Sequence, residues 1–206
     1  MRDLLVILSI GHSGRPDVPR GVGASHDGVH ELDLVRRYAH ICEIALRGWG
    51  VACWPISDGT LQQRQQRAVE YGTGWLRERP TGLVLYVACH VNSAPGDYGL
   101  VLHDERSRLG AQVAKAIQGP LSRFEELSRV LVRATPGETP ERPWRNAHAT
   151  IRHIFDGPNA MAAVCFEPFF IDQPAHKPLT WSGGLNQVGL ALAEGLLSAA
   201  RSLEVK

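Results

Sequence analysis

The sequence has no long apolar run. Its three most hydrophobic stretches, LLVILSI (4–10), LVLYVAC (83–89) and AMAAVCF (160–166), are seven residues each. A membrane-spanning helix needs roughly 18 to 20 such residues, so no membrane partner is expected. Charge of one sign is also missing. With 22 Lys and Arg against 21 Asp and Glu, the formal charge is +1, which excludes the electrostatic footprint of a nucleic-acid binder. Paired cysteines are lacking too. Cys42, Cys53, Cys89 and Cys165 are scattered through apolar surroundings without a C-x-x-C pair. That excludes a zinc ribbon or redox motif and predicts buried free thiols in a reducing compartment. The stretch after Arg2 is too short for a signal-peptide core, and no small-residue cleavage site follows it. The protein is therefore expected to be made in the cytoplasm without a signal peptide. No repeat, linker or low-complexity tail interrupts the chain, so residues 1–206 read as one domain.

What is present is an alternation of short β-rich runs and longer helical patterns, the signature of an α/β layered fold. Strands are predicted at 4–10, 51–54, 83–89, 98–103, 127–134 and 160–166. Between them, the spacing predicts helices from Glu31 to about Gly48, from a Thr60 cap to about Arg79, and from Ser107 to Ile117. Two further helices are predicted at 145–155 and from Ser182 to Leu203. The fold expected is a single-domain three-layer sandwich, with a mostly parallel twisted sheet of about six strands and helices on both faces. TPGETPERP (135–143), with three prolines and a glycine, reads as a surface loop that could flank a cleft. The segment from Gly11 to His30 reads as a Gly-rich polar loop.

The chemistry gathers where these strands end. His12 follows the first strand, His90 the LVLYVAC strand and Glu167 the AMAAVCF strand, while Glu31 opens the helix after the His12 loop. Continuous apolar strands belong to sheets covered on both faces, and such sheets bind ligands beyond the strands' carboxyl ends. Taken singly, a histidine after a strand is usually a loop residue, and Glu31 an acid suited to a helix start. Taken together they suggest a metal site. Two imidazoles and a carboxylate form a common catalytic zinc shell, and a second carboxylate is then needed to carry protons. His26 and His30 are rival ligands on the same loop. His40, His103, His148, His153 and His176 lack a strand-end context and read as solvated surface. A Cys165 nucleophile with His90 is disfavoured, because that cysteine sits one step deeper in the core than Glu167.

Five motifs in order, ILSIGHSG (7–14), GVHELDLVRR (28–37), LQQRQQRA (61–68), VACHVNSA (87–94) and VCFEPFFID (164–172), resemble the zinc-dependent N-acetylmuramoyl-L-alanine amidases of the Amidase_3 type. The resemblance covers nearly the whole chain. It implies one zinc per chain held by His12, Glu31 and His90, with Glu167 as the catalytic glutamate. It further implies a structural role for Arg64 and a loop-shaping role for Asn92 beneath His90. The chain departs from the family pattern in a long first loop, with 18 residues between His12 and Glu31. Ile10 replaces a frequent acid, Phe169 replaces a glycine, and Asp172–Gln173 replaces a Ser/Thr–Asn pair.

The function so implied is hydrolysis of the amide between N-acetylmuramic acid and L-alanine. Peptidoglycan would be the partner, and the protein a monomeric, endolysin-like enzyme that reaches the wall after holin-mediated release. Two other readings stay open. One is a zinc amidohydrolase of small N-acyl amino acids, for which a closed pocket with a carboxylate-gripping arginine would argue. The other is a non-catalytic wall-binding module, which has no need of Glu167.

Overall fold

In the computed structural model, residues 3–12, 21–135, 151, 154 and 161–203 are described. The elements in chain order are β1 (Leu4–Ile10), β2 (Ser25–His26), β3 (Val29–His30), α1 (Glu31–Gly48), β4 (Ala52–Ile56) and α2 (Leu61–Glu78). They continue with β5 (Leu83–Cys89), β6 (Tyr98–Asp104), α3 (Arg108–Leu121), β7 (Arg129–Thr135) and β8 (Met161–Glu167). A 3-10 turn (Pro174–Thr180) and α4 (Ser182–Leu203) complete them.

The main sheet has six strands in the order β4-β1-β5-β8-β6-β7. β4, β1, β5 and β8 run parallel, whereas β6 lies antiparallel to β8 and carries β7 parallel to itself. This is the mostly parallel α/β sandwich expected from the sequence. β1 and β5 are buried along their whole length, which explains their unbroken apolar character. Their side chains alternate between two cores, as the pleat requires. Leu4, Val6, Leu8, Leu85 and Val87 join α1, α3 and α4 on one face. Leu5, Ile7, Val84 and Tyr86 face α2, Ile151 and Ile154 on the other.

Local signals set most helix boundaries. Thr60 and Gln63 form a complete capping box at the start of α2, and Ser107 Oγ accepts from the Gly110 N–H at the start of α3. Such caps contribute about 1 kcal/mol each. Several details differ from expectation. β4 extends to Ile56 through Pro55, which an edge strand tolerates. α3 continues to Leu121 across Pro120. The loop before α1 contains the short β2–β3 hairpin, with Asp27 and Gly28 at positive φ in its turn. The helix expected at 145–155 is described only at Ile151 and Ile154, both helical and buried, and the loop at 135–143 lies outside the described residues beyond Thr135.

All four cysteines are buried free thiols, as the apolar surroundings predict. Burial pushes the Cys42 and Cys89 thiols up, and that of Cys53 up to about 12. Two histidines correct the expectation of solvated surface: His103 and His176 are buried. His103 Nδ1 bonds the Asp104 carbonyl, and His176 Nδ1 accepts the Phe170 N–H. Polar backbone partners inside the fold, which no local pattern reveals, make their burial tolerable. His40 is exposed as expected, while His148 and His153 lie outside the described residues.

Candidate metal centre

Strand register brings the four side chains to one edge of the sheet. Ile10 pairs with Cys89, and Cys89 with Phe166, so β1, β5 and β8 end level with one another. Gly11 N–H then bonds the Cys89 carbonyl at 2.9 Å, and His90 N–H bonds the Phe166 carbonyl at 3.0 Å. A Cβ on Gly11 would lie 2.5 Å from the Cys89 oxygen and 2.7 Å from the His90 ring. Only glycine lets the two strand ends meet there. His12 itself has φ 57°, a left-handed conformation that costs a non-glycine residue roughly 1 to 2 kcal/mol and turns its ring toward His90.

His12, Glu31 and His90 each offer a ligand atom within 4.8 Å of the others. Glu31 stands between the imidazoles. Its Oε2 is 3.3 Å from His12 Nε2, and its Oε1 is 3.1 Å from His90 Nδ1. The two rings stand edge to face at 5.2 Å. Each carboxylate oxygen is also fixed by a backbone donor, Oε2 by Ala24 N–H and Oε1 by Val91 N–H, both at 3.0 Å. Glu31 is 3% exposed. Burial alone would push its pKa up, but the hydrogen bonds from His90 and Ala24 and the nearby imidazoles outweigh it and hold the carboxyl below its ordinary value. An ionised, oriented carboxylate between two imidazoles is the donor set that suits zinc. The three residues fit a divalent cation.

The loop before α1 docks through its backbone. Glu31 N–H bonds the Ala24 carbonyl and Leu32 N–H that of Val22, so the orphan donors of the helix start are satisfied by the strap that also grips Glu31. Gly23, at φ 78°, lets this strap approach, since a Cβ there would lie 2.4 Å from Glu31 Oε2 and 2.8 Å from the His12 ring. Gly23 carried no signal in the sequence, because its neighbours are close only in the folded chain.

Glu167 stands at the end of β8, half-buried beside this group. Asn92 Nδ2 donates to its Oε2 at 2.9 Å, while Oε1 has a weak 3.9 Å contact from the Cys165 thiol. Burial is the main reason its pKa rises. The Glu31 charge adds to that rise, and the His90 imidazole opposes it. Asn92 does more than shape the loop: its Oδ1 accepts Ser93 N–H, its backbone pairs with Phe169 and Ile171, and its amide steers Glu167. Arg64 is buried near the start of α2, where Nη1 bonds the Gly59 carbonyl, consistent with a structural role. The rival ligands stand apart from the group. His30 caps α1 and bonds Ser25 Oγ through Nδ1 at 2.7 Å, and His26 lies beside Asp27 on the exposed hairpin.

No family model matches the chain, and no curated protein matches it in sequence. Solved structures do match in fold. The N-acetylmuramoyl-L-alanine amidase AmiC2 of Nostoc punctiforme superposes with a TM-score of 0.67 at 17% identity, covering 98% of each chain. An N-acetylmuramoyl-L-alanine amidase from Clostridium difficile 630 gives 0.69 at 14%, covering 98% of this chain and 99% of that one. The catalytic domain of the CD27L endolysin, targeting Clostridia difficile, gives 0.59 at 19%, covering 94% and 96%. At these identities, what the chain shares with them is the fold.

Proposed function

We propose that this protein is a zinc-dependent N-acetylmuramoyl-L-alanine amidase that acts on peptidoglycan. The observation that carries the reading is the convergence of His12, Glu31 and His90 within 4.8 Å of one another, with the carboxyl of Glu167 held by Asn92 at the same sheet edge. The fold neighbours are amidases of this specificity over nearly their full length, and their company supports the substrate class. An endolysin catalytic domain among them supports a wall-lytic, phage or prophage role.

His12, Glu31 and His90 would hold a zinc ion, which would supply Lewis acidity toward the substrate carbonyl and lower the pKa of the attacking water. The chain's residues do the rest. Ala24 and Val91 hold Glu31 through their N–H groups, so its carboxylate is pre-oriented. Glu167 takes the water's proton and returns it to the alanine nitrogen as the lactyl C–N bond breaks. Burial makes Glu167 a stronger base than an exposed carboxylate. The Asn92 amide occupies Oε2, which leaves Oε1 to handle the proton. A wall-binding module without catalysis has no use for this fourth residue.

The test is digestion of purified muropeptides followed by mass analysis of the products. The expected outcome is gain of one water, with a new alanine amine and a new lactyl carboxylate, about one zinc per chain, and loss of activity on chelation. Glu167→Ala should lower kcat by about 10²- to 10⁴-fold while zinc content is unchanged. Loss of zinc in that variant would instead make Glu167 a ligand.

A further inference from the structure

A second feature adjoins the proposed centre. A cleft of about 230 Å³ lies between the β2–β3 hairpin and the 3-10 turn, with Val29, Ile171 and Pro174 among its apolar lining and Gln173, Lys177 and Thr180 among its polar lining. Its walls come from the two chain segments that flank the proposed site residues Glu31 and Glu167. Val29 precedes Glu31 by two positions in the chain. Ile171 N–H donates to the Asn92 carbonyl at 2.9 Å, and the same Asn92 holds Glu167. The cleft therefore runs between the segment that enters Glu31 and the segment that leaves Glu167.

Most polar groups of the cleft are already engaged. Asp27 faces His26, 3.6 Å away, on the hairpin wall. Gln173 Nε2 donates to the Gly96 carbonyl at 3.1 Å, and Thr180 Oγ donates to the Lys177 carbonyl at 2.8 Å. The Lys177 ammonium makes no ion pair among the described residues. A free cation beside apolar walls is suited to a carboxylate, since nearby low-polarity surface strengthens the attraction relative to open water. In an acyl-amino-acid substrate, the carboxylates belong to the amine side of the scissile bond, because every peptide ends in one.

We infer that this cleft is the subsite for the peptide arm of the substrate, with Lys177 reading a carboxylate there. The inference rests on the amidase reading and adds to it the side on which the peptide lies and the charge it must carry. Lys177 is a specificity residue and takes no part in proton transfer.

The experiment uses matched muramoyl peptides whose peptide carboxylates are free or converted to amides, with kcat and KM measured for both. The wild-type chain should favour the free acids by about tenfold in kcat/KM, mainly through KM, the magnitude of one charge-assisted hydrogen bond. Lys177→Met keeps the aliphatic stem and should lose that preference by losing ground on the free acids alone, while Lys177→Arg should retain most of it. Undiminished discrimination in Lys177→Met would overturn the subsite and leave the amidase reading intact. Failure of the wild-type chain to cleave any muramoyl peptide would overturn both.

Discussion

Gly23 and Gly28 share a left-handed backbone, at φ 78° and 76°, yet differ in what a side chain would meet there. Around Gly28 nothing lies within 4 Å, whereas at Gly23 a Cβ would strike Glu31 Oε2 and the His12 ring. The backbone penalty for alanine, about 1 to 2 kcal/mol at either site, is small beside a typical domain stability of about 5 to 15 kcal/mol. Both variants should therefore fold. The clash alone separates them. Gly23→Ala is expected to weaken zinc affinity by about 10- to 100-fold, the usual effect of disturbing a ligand's support, and Gly28→Ala to leave it unchanged. Zinc-chelator competition on the two proteins checks this, and equal affinities would remove Gly23 from the site. At this scale the sequence showed the candidate chemical groups, because His12, Glu31, His90 and Glu167 each stand where an apolar strand stops or a helix starts. It did not show Gly23 or the Asn92–Glu167 bond, since nothing in a local pattern says which backbone lies against a carboxylate.

The segment from Pro168 to Thr180 is the element where local reading fell short. Its histidine is expected on a solvated surface, yet the segment places Phe169, Phe170, His176 and Leu179 in the interior. His176 organises it by accepting the Phe170 N–H on Nδ1, an atom that must stay unprotonated for the bond to exist. Burial pushes the imidazole's pKa below its ordinary value of 6.5. The unfolded chain thus binds more protons than the native one at mildly acidic pH, and stability must fall as pH drops below about 6.5 toward the lowered native pKa. Thermal melts between pH 7 and pH 5 should show that loss in the wild-type protein. His176→Asn keeps an acceptor near Nδ1 but cannot titrate, so its melting temperature is expected to be lower overall and to slope less over the same range. Parallel slopes would assign the acid sensitivity elsewhere. The β2–β3 hairpin was similarly invisible, its two-residue strands being too short to set up a period.

For the whole molecule, the proposed centre ties together β1, α1, β5 and β8, which are remote in sequence. A ligand that binds only where they meet stabilises the native state by mass action. Zinc at a hundredfold excess over its Kd contributes about 2.7 kcal/mol, which for a chain of this size raises Tm by roughly 5 to 10 °C. Calorimetry with and without a chelator measures the shift, and Glu31→Gln should abolish it. An unchanged Tm in the wild-type protein would count against a preformed zinc site. Among the described residues, no helix is long and apolar enough to cross a membrane, in keeping with the short apolar runs of the sequence.

Sequence alone determined the layer type and most of the elements. The unbroken apolar character of LLVILSI and LVLYVAC requires cover on both faces, and the Thr60 and Ser107 caps announce their helices through contacts three residues away. It also showed which side chains could carry chemistry, because imidazoles and carboxylates that follow apolar strands or open a helix break the apolar pattern of the core. Only the tertiary structure decided the rest. Strand order and the reversed direction of β6 and β7 depend on pairing energies between distant segments. The level ends of β1, β5 and β8 follow from register, and register is set by which strand lies beside which. Buried His103 and His176, the Gly23 approach and the cleft before Lys177 all arise from contacts between residues far apart in the chain, whose partners are chosen by packing and not by spacing.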